Sequence, residues 1–255
     1  MIDLHSHILH GIDDGARTLE DSLEIARAAV SDGITVIAGT PHVRDDWPTD
    51  AGVMENRVAE LRAELEQAGI PLDVRAGGEI AIEWLTRLPV DELRRFGLGG
   101  NPRYLLVETP YYGWPLELAD LLFSLLASGI RPVLAHPERN ATVQAQPQRL
   151  VPLVQSGVLV QVTAASVDGR IGRRAQQCGL VLIERGLAHL LASDAHHASV
   201  RAVGMAEAAA SVGGGPLAEW LTWEVPAAIV DDTRLPPRPE GNRRGGWLGK
   251  LFSTT

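Results

Sequence analysis

A chain of 255 residues with 45% hydrophobic content has the material for a sizeable core, and a formal net charge of -9 opposes a nucleic-acid partner held through phosphates. Its one cysteine, Cys178, excludes an intramolecular disulfide and a cysteine-rich zinc site. No run of about 18 apolar residues exists, and "DLHSH" stands where a signal peptide would need a basic start, so the expectation is a soluble, cytoplasmic protein.

The strand "MIDLH" opens the chain and runs into "DLHSHILHGIDDGA". Strand side chains alternate faces, so His5 and His7 point the same way and can grip one ion. A helix opens at Thr18 with Asp21 three residues on, close to a capping box, and stops at Gly33. "ITVIAG" (34–39) reads as a buried parallel strand, with His42 following in "TPH". Helical "VMENRVAELRAELEQAG" ends on Gly69, and the strand "LDVRAGG" (72–78) leads to Glu79. "YLLVET" (104–109) contains Glu108, a carboxylate costly to bury unpaired. "LELADLLFSLLASG" ends on Gly129, and "RPVLAH" (131–136) brings His136, with Arg139 beyond it. "VLVQVT" (158–163) and "AHLLASD" (188–194) complete the strands, the last ending in Asp194 and His196.

About seven βα units in sequence predict a single α/β domain, a TIM-like barrel one unit short, with a doubly wound sheet as the topological alternative. Residues 1–232 would form this domain. From Thr233 to residue 255 the chain turns proline-, glycine- and arginine-rich and reads as a flexible tail.

Ligands in such barrels gather at the C-terminal ends of the strands. Here six strand ends carry nitrogen or oxygen donors: His5, His7, Asp14, His42, Glu79, Glu108, His136, Asp194 and His196. Each alone has a bland reading, an acid as a helix cap or Asp13 and Asp14 together capping a turn at Gly15. Nine at one end of one barrel do not arise by chance, and they fit hard or borderline divalent cations rather than thiolate chemistry.

These stretches, with "GGEI", "VETP", "AHPERN" and "SDAHHASVR", resemble the polymerase and histidinol phosphatase (PHP) superfamily over roughly residues 1–205. Within it the chain is similar to the bacterial manganese-dependent protein-tyrosine phosphatases of capsule and exopolysaccharide synthesis. The resemblance implies a distorted (β/α)7 barrel, the PHP fold, holding three divalent ions, manganese above iron or zinc. His5, His7, Glu79 and Asp194 would hold one ion. Glu79 would bridge to a second with Glu108 and His136, and Asp14, His42 and His196 would hold the third. Arg139 and Arg201 would bind phosphate. His10 stands where the family has proline, and His197 where it has a small polar residue. "EVPAAIVDD" (224–232) resembles a degraded form of the family's closing Asn-Pro stretch.

Three divalent ions and two arginines would outweigh the four carboxylates, giving an anion-attracting site in an acidic protein. The expected reaction is attack of metal-activated water on phosphotyrosine without a phosphoenzyme, the partner being a phosphotyrosine protein such as a membrane-associated tyrosine kinase. Phenolate, with a pKa of about 10, leaves without a dedicated acid more readily than an alkoxide. A small-molecule phosphatase, acting on histidinol phosphate or a nucleotide, is the alternative on the same scaffold; a non-catalytic kinase-binding scaffold is the other. Cysteine phosphatase chemistry is disfavoured, because six residues after Cys178 stands Glu184, with Arg185 one place late. In "RRGGWLGKLFSTT", Trp247, Leu248, Leu251 and Phe252 share a helical face beside Arg243, Arg244 and Lys250. That tail reads as disordered packing on the domain or a neighbouring subunit of an oligomer, or as a weak membrane-surface anchor.

Overall fold

Each apolar run forms a strand, and apart from the one over Asp73–Ala76, where only Val74 is buried, they expose little surface, as expected where helices cover a parallel sheet. The computed structural model describes residues 1–199 and 202–240. Its strands are β1 (Ile2–Ser6), β2 (Val36–Gly39), β3 (His42–Arg44), β4 (Trp47–Pro48) and β5 (Asp73–Ala76). β6 (Glu79–Ala81), β7 (Tyr104–Glu108), β8 (Arg131–Ala135), β9 (Leu159–Thr163) and β10 (Leu190–Ala192) follow. One sheet has the order β1-β2-β5, the other β10-β9-β8-β7-β6-β3-β4. All pairings are parallel except β3 with β4. The result is a mixed α/β domain rich in parallel strands.

Two breaks set the geometry of the site. The second strand read from the sequence stops at Gly39 and resumes at His42 as β3, beyond Thr40 and Pro41. The third likewise breaks at Gly77 and Gly78 before resuming as β6. A Cβ on Gly78 would lie 2.5 Å from the Phe96 ring, and one on Gly77 2.9 Å from Thr40 Cγ2, so this crossing admits only glycine. The breaks carry His42 and Glu79 side by side into the second sheet, paired residue to residue. At the other edge, Asp194 N donates to His5 O and His7 N to Ala195 O, each at 2.8 Å, tying the end of β1 to the segment after β10.

Helices form where capping and periodicity asked for them. Helix Leu19–Ser31 starts in a capping box: Asp21 N donates to Thr18 Oγ1, and Thr18 N to the Asp21 carboxylate. Helix Ala51–Ala68 is capped by Asp50 and stopped by Gly69, which takes a left-handed φ of 66°. Helix Leu118–Ala127 is shorter at both ends than the periodic run suggested. Leu4, Ile37, Val74, Leu106, Val133, Val160 and Leu191, one from each principal strand, are fully buried. Truncating one of the leucines or Ile37 to alanine costs about 2–5 kcal/mol.

The first part of the expected tail lies against the domain. Arg238 Nη2 donates to Ile183 O at 2.6 Å, its guanidinium sits over the Trp220 ring, and Trp220 Nε1 donates to Pro236 O. The stretch "RRGGWLGKLFSTT" lies outside the described residues, as does Arg201. Among the described residues, no helix is long and apolar enough to cross a membrane.

Candidate metal centre

Alternation along β1 sends His5 and the following His7 into the same buried space, at 0% and 1% exposure. A buried imidazole needs a partner, and each partner here also fixes a tautomer. His7 Nδ1 donates to Asp13 Oδ2 at 2.7 Å, His5 Nδ1 to Gln161 Oε1 at 3.1 Å, and His196 Nδ1 to the Asp194 carbonyl at 3.0 Å. In all three rings the proton is on Nδ1, leaving Nε2 as a lone pair for a ligand.

Glu79, fully buried at the start of β6, is the hub. Its Oε1 lies 2.7 Å from His136 Nε2, and its Oε2 lies 3.0 Å from His42 Nδ1, 3.3 Å from His5 Nε2 and 3.5 Å from His7 Nε2. Asp194 Oδ1 lies 3.3 Å from His5 Nε2 and 3.2 Å from His7 Nε2. Asp14, with its side chain 40% exposed, places Oδ1 3.4 Å from both His42 Nε2 and His196 Nε2.

The nine candidate ligands thus fall into four overlapping sets, each with donor atoms within 4.8 Å of one another. They are His5, His7 and Asp194; His5, Glu79 and His136; His42, Glu79 and Glu108; and His7, Asp14, His42 and His196. Compared with the grouping implied by the resemblance, His7 also joins the Asp14 set, His5 joins Glu79 and His136, and His42 joins Glu79 and Glu108, so that Glu108 and His136 fall in different sets. His5 Nε2, His7 Nε2, His42 Nδ1 and Glu79 Oε2 are buried without a hydrogen-bond partner, as they would be if aimed at ions. The donor set, imidazole and carboxylate with no sulfur, fits divalent manganese, iron or zinc.

Electrostatics point the same way. Burial opposes charge on Glu79, yet His5, His42 and His136 hold its carboxyl well below the usual range. Burial likewise opposes Asp194, and Arg139 and then His5 hold it down. Burial disfavours the imidazolium of His42, but the Glu79 charge and the Asp14 contact lift it to about 9. Glu108 is pushed up by burial and then by Glu79. This is a cluster that draws cations, protons where no heavier ion competes. His136 and Asp194 also adopt left-handed backbone, with φ of 35° and 53°. Such backbone costs on the order of 1 kcal/mol at a non-glycine residue and gathers at functional sites.

Arg139 lies beside the cluster with its side chain 10% exposed, its Nη1 donating to Asp194 Oδ2 at 2.6 Å. His10 stands apart, 3.7 Å from Glu60, and His197 joins none of the four sets. Several supporting residues escaped the sequence reading. Asp13, whose place beside Gly15 suggests only a turn cap, has a carboxylate that accepts from His7 Nδ1 and also takes the His42 N–H at 3.1 Å. Gln161 Oε1 accepts from both His5 Nδ1 and His136 N. Arg44 reaches Glu108 Oε1 at 3.1 Å. Asn140 Nδ2 donates to the Pro110 and Gly113 carbonyls, holding the loop whose Tyr111 ring stacks parallel to His136. The available signal was a polar residue inside an apolar strand, as at Gln161 in "VLVQVT".

The model of the family described as capsular polysaccharide synthesis, CpsB/CapC, matches residues 1–221. The chain is 34% identical over 250 residues to the tyrosine-protein phosphatase YwqE of Bacillus subtilis (strain 168), spanning 96% of this chain and 98% of that protein. It is 28% identical over 220 residues to the tyrosine-protein phosphatase CpsB of Streptococcus agalactiae serotype III (strain NEM316), spanning 82% and 88%. Its fold superposes, at a TM-score of 0.84 and 33% identity, on a chain from the crystal structures of YwqE from Bacillus subtilis and CpsB from Streptococcus pneumoniae. That match covers 94% of this chain and 100% of the other, and those proteins are described as unique metal-dependent tyrosine phosphatases. On a match spanning most of its length, the chain belongs to the CpsB/CapC family of capsular polysaccharide synthesis.

Proposed function

We propose that this chain is a cytoplasmic, metal-dependent protein-tyrosine phosphatase, hydrolysing phosphotyrosine on a membrane-associated tyrosine autokinase of capsule or exopolysaccharide synthesis. The observation that carries the reading is the Glu79-centred cluster, with the imidazoles of His5 and His7 locked to present Nε2. Nine donors in four sets suit three divalent ions, with manganese the preferred metal. His5, His7, Glu79 and Asp194 would hold the first, Glu79, Glu108 and His136 the second, and Asp14, His42 and His196 the third. When bound, such ions supply Lewis acidity and a water nucleophile at near-neutral pH.

The remaining work falls to the chain's own residues. Arg139, held by Asp194, presents its guanidinium to phosphoryl oxygens, and Arg201 is the second proposed phosphate ligand. Asp13 and Gln161 keep the His7 and His5 rings in their ligating tautomer throughout turnover. Cys178 takes no part: burial, with the Glu138 charge next, pushes its thiol up to about 12, so no thiolate nucleophile forms. A phenolate leaving group matches a site whose candidate residues, nine metal ligands and two arginines, include no dedicated general acid.

We read the two sheets as one (β/α)7 barrel. The broken pairs β2–β3 and β5–β6 each count as one strand, and the β1 hydrogen bonds to Asp194 and Ala195 join the ends. The barrel occupies residues 1–232 in this reading, with 233–255 as its tail and a weak membrane contact through the last residues. The test compares manganese-loaded protein on phosphotyrosine peptides and on histidinol phosphate. A higher kcat/KM on the peptides is expected. Faster turnover of histidinol phosphate would transfer the chain to the small-molecule reading, and no turnover of either would leave a scaffold.

A further inference from the structure

Arg139 also lines a groove of about 740 Å³, with Tyr111 and Tyr112 of the loop after β7 and Arg173 and Arg174 at the start of the helix Arg173–Glu184. Both arginines of the helix are exposed, and no carboxylate lines the groove among the described residues. The groove beyond the other side of the same loop is different in charge. It measures about 1080 Å³, and its carboxylates are Asp46, Glu83, Glu117 and the cluster's Glu108. Its two arginines are already occupied, Arg44 by Glu108 and Asp46, and Arg87 by Asp45. In a chain of net charge -9, the Arg173 side is therefore a local positive groove continuous with the residue proposed to grip phosphate.

An extended peptide advances about 3.3–3.6 Å per residue, so a phosphotyrosine seated at Arg139 brings its neighbours into this groove within a few residues. We propose that the groove lined by Arg173 and Arg174 binds acidic residues flanking the phosphotyrosine of the protein substrate, a refinement that rests on the phosphotyrosine phosphatase reading. Tyr111 and Tyr112, at 44% and 85% exposure, offer apolar surface for the peptide stem between the charges. The exposed guanidinium pairs are worth about two- to fivefold each in selectivity, and salt weakens them.

The test uses the full chain loaded with manganese and three phosphotyrosine peptides, flanked by glutamate, by glutamine or by lysine. Expected is a higher kcat/KM on the glutamate peptide, carried by KM and shrinking at high salt. Arg173→Glu and Arg174→Glu should each reduce the glutamate-to-glutamine ratio by about two- to fivefold and favour the lysine peptide. Arg149→Glu, the same charge change at an exposed site outside the groove, should leave the ratio alone. Binding of non-hydrolysable phosphonate versions of the peptides should follow the same order. Equal turnover of all three peptides, or a glutamate preference untouched by both variants, would overturn the groove while leaving the phosphatase reading intact. No turnover of any peptide, with no binding of the phosphonates, removes both.

Discussion

Asp13→Asn isolates what an outer partner contributes to the cluster. The Asp13 carboxylate accepts three hydrogen bonds, from His7 Nδ1 at 2.7 Å, Gly15 N at 2.9 Å and His42 N at 3.1 Å. An asparagine has one acceptor oxygen. Turned toward His7 and His42 it abandons Gly15 N, and turned toward Gly15 it presents NH2 to two donors. In either pose a buried donor loses its partner, at about 1–3 kcal/mol, and His7 loses the negative charge that lifts its basicity against burial. Removing such a partner lowers metal affinity about 10–100-fold. The assay is a manganese titration of chelator-stripped protein, read by calorimetry and by turnover of a phosphotyrosine peptide, beside urea unfolding in chelator. Half-saturation should shift 10–100-fold and the unfolding free energy drop by about 1–3 kcal/mol. A half-saturation within twofold of the parent would refute the assignment of Asp13 as the partner that orients His7.

Arg139→Ala should lower kcat by about 100-fold or more, with Arg139→Lys restoring part of it, since an ammonium carries charge without the planar fork. Manganese content should stay constant; metal loss would recast Arg139 as a support for Asp194. Cys178→Ala should keep full turnover at a stability cost of about 1 kcal/mol, and thiol alkylation should not inhibit. Inhibition by alkylation would contradict the thiol pushed up to about 12 by burial. His189, mostly shielded from solvent and accepting from Val160 N, is pushed down from 6.5 to about 4 by burial and then by the charges of Arg238 and Arg131. The unfolded chain therefore takes up a proton below about 6.5 that the folded chain refuses until about 4, so stability falls as pH drops through that window, by up to about 3 kcal/mol. His189→Asn, which keeps an acceptor, should flatten the fall between pH 7 and 5, and unchanged slopes in urea unfolding would count against it.

Much of the site was readable because strand alternation and strand ends are local properties. His5 and His7 face one way by geometry alone, and Glu108 stood out as an acid in an apolar run. What was not readable depends on chain crossings. The sequence shows "TPH" and "GGE" as loops. The structure makes His42 and Glu79 partners in adjacent strands, because glycine at 77 and 78 lets Thr40 and Phe96 come close. Asp13 and Asp14 are alike as neighbours in the chain. Only folding buries Asp13 against His7 and leaves Asp14 partly exposed beside His42 and His196. Arg44 and Asn140 carry no local signature, since a surface arginine and an asparagine after a helical turn are ordinary residues. The tail is split in the same way: no pattern in "TRLPPRPE" shows that Arg238 finds the end of a helix and the Trp220 ring.

The central claim is that hydrolysis of phosphotyrosine depends on divalent ions held by the Glu79 cluster. The most direct test is metal analysis of freshly purified protein, with phosphotyrosine peptide turnover measured before chelation, after chelation and dialysis, and after manganese is restored. The account predicts up to three ions per chain, loss of turnover with the ions and its return with manganese, and neither binding nor recovery in Glu79→Ala. Undiminished turnover in exhaustively stripped protein would contradict it.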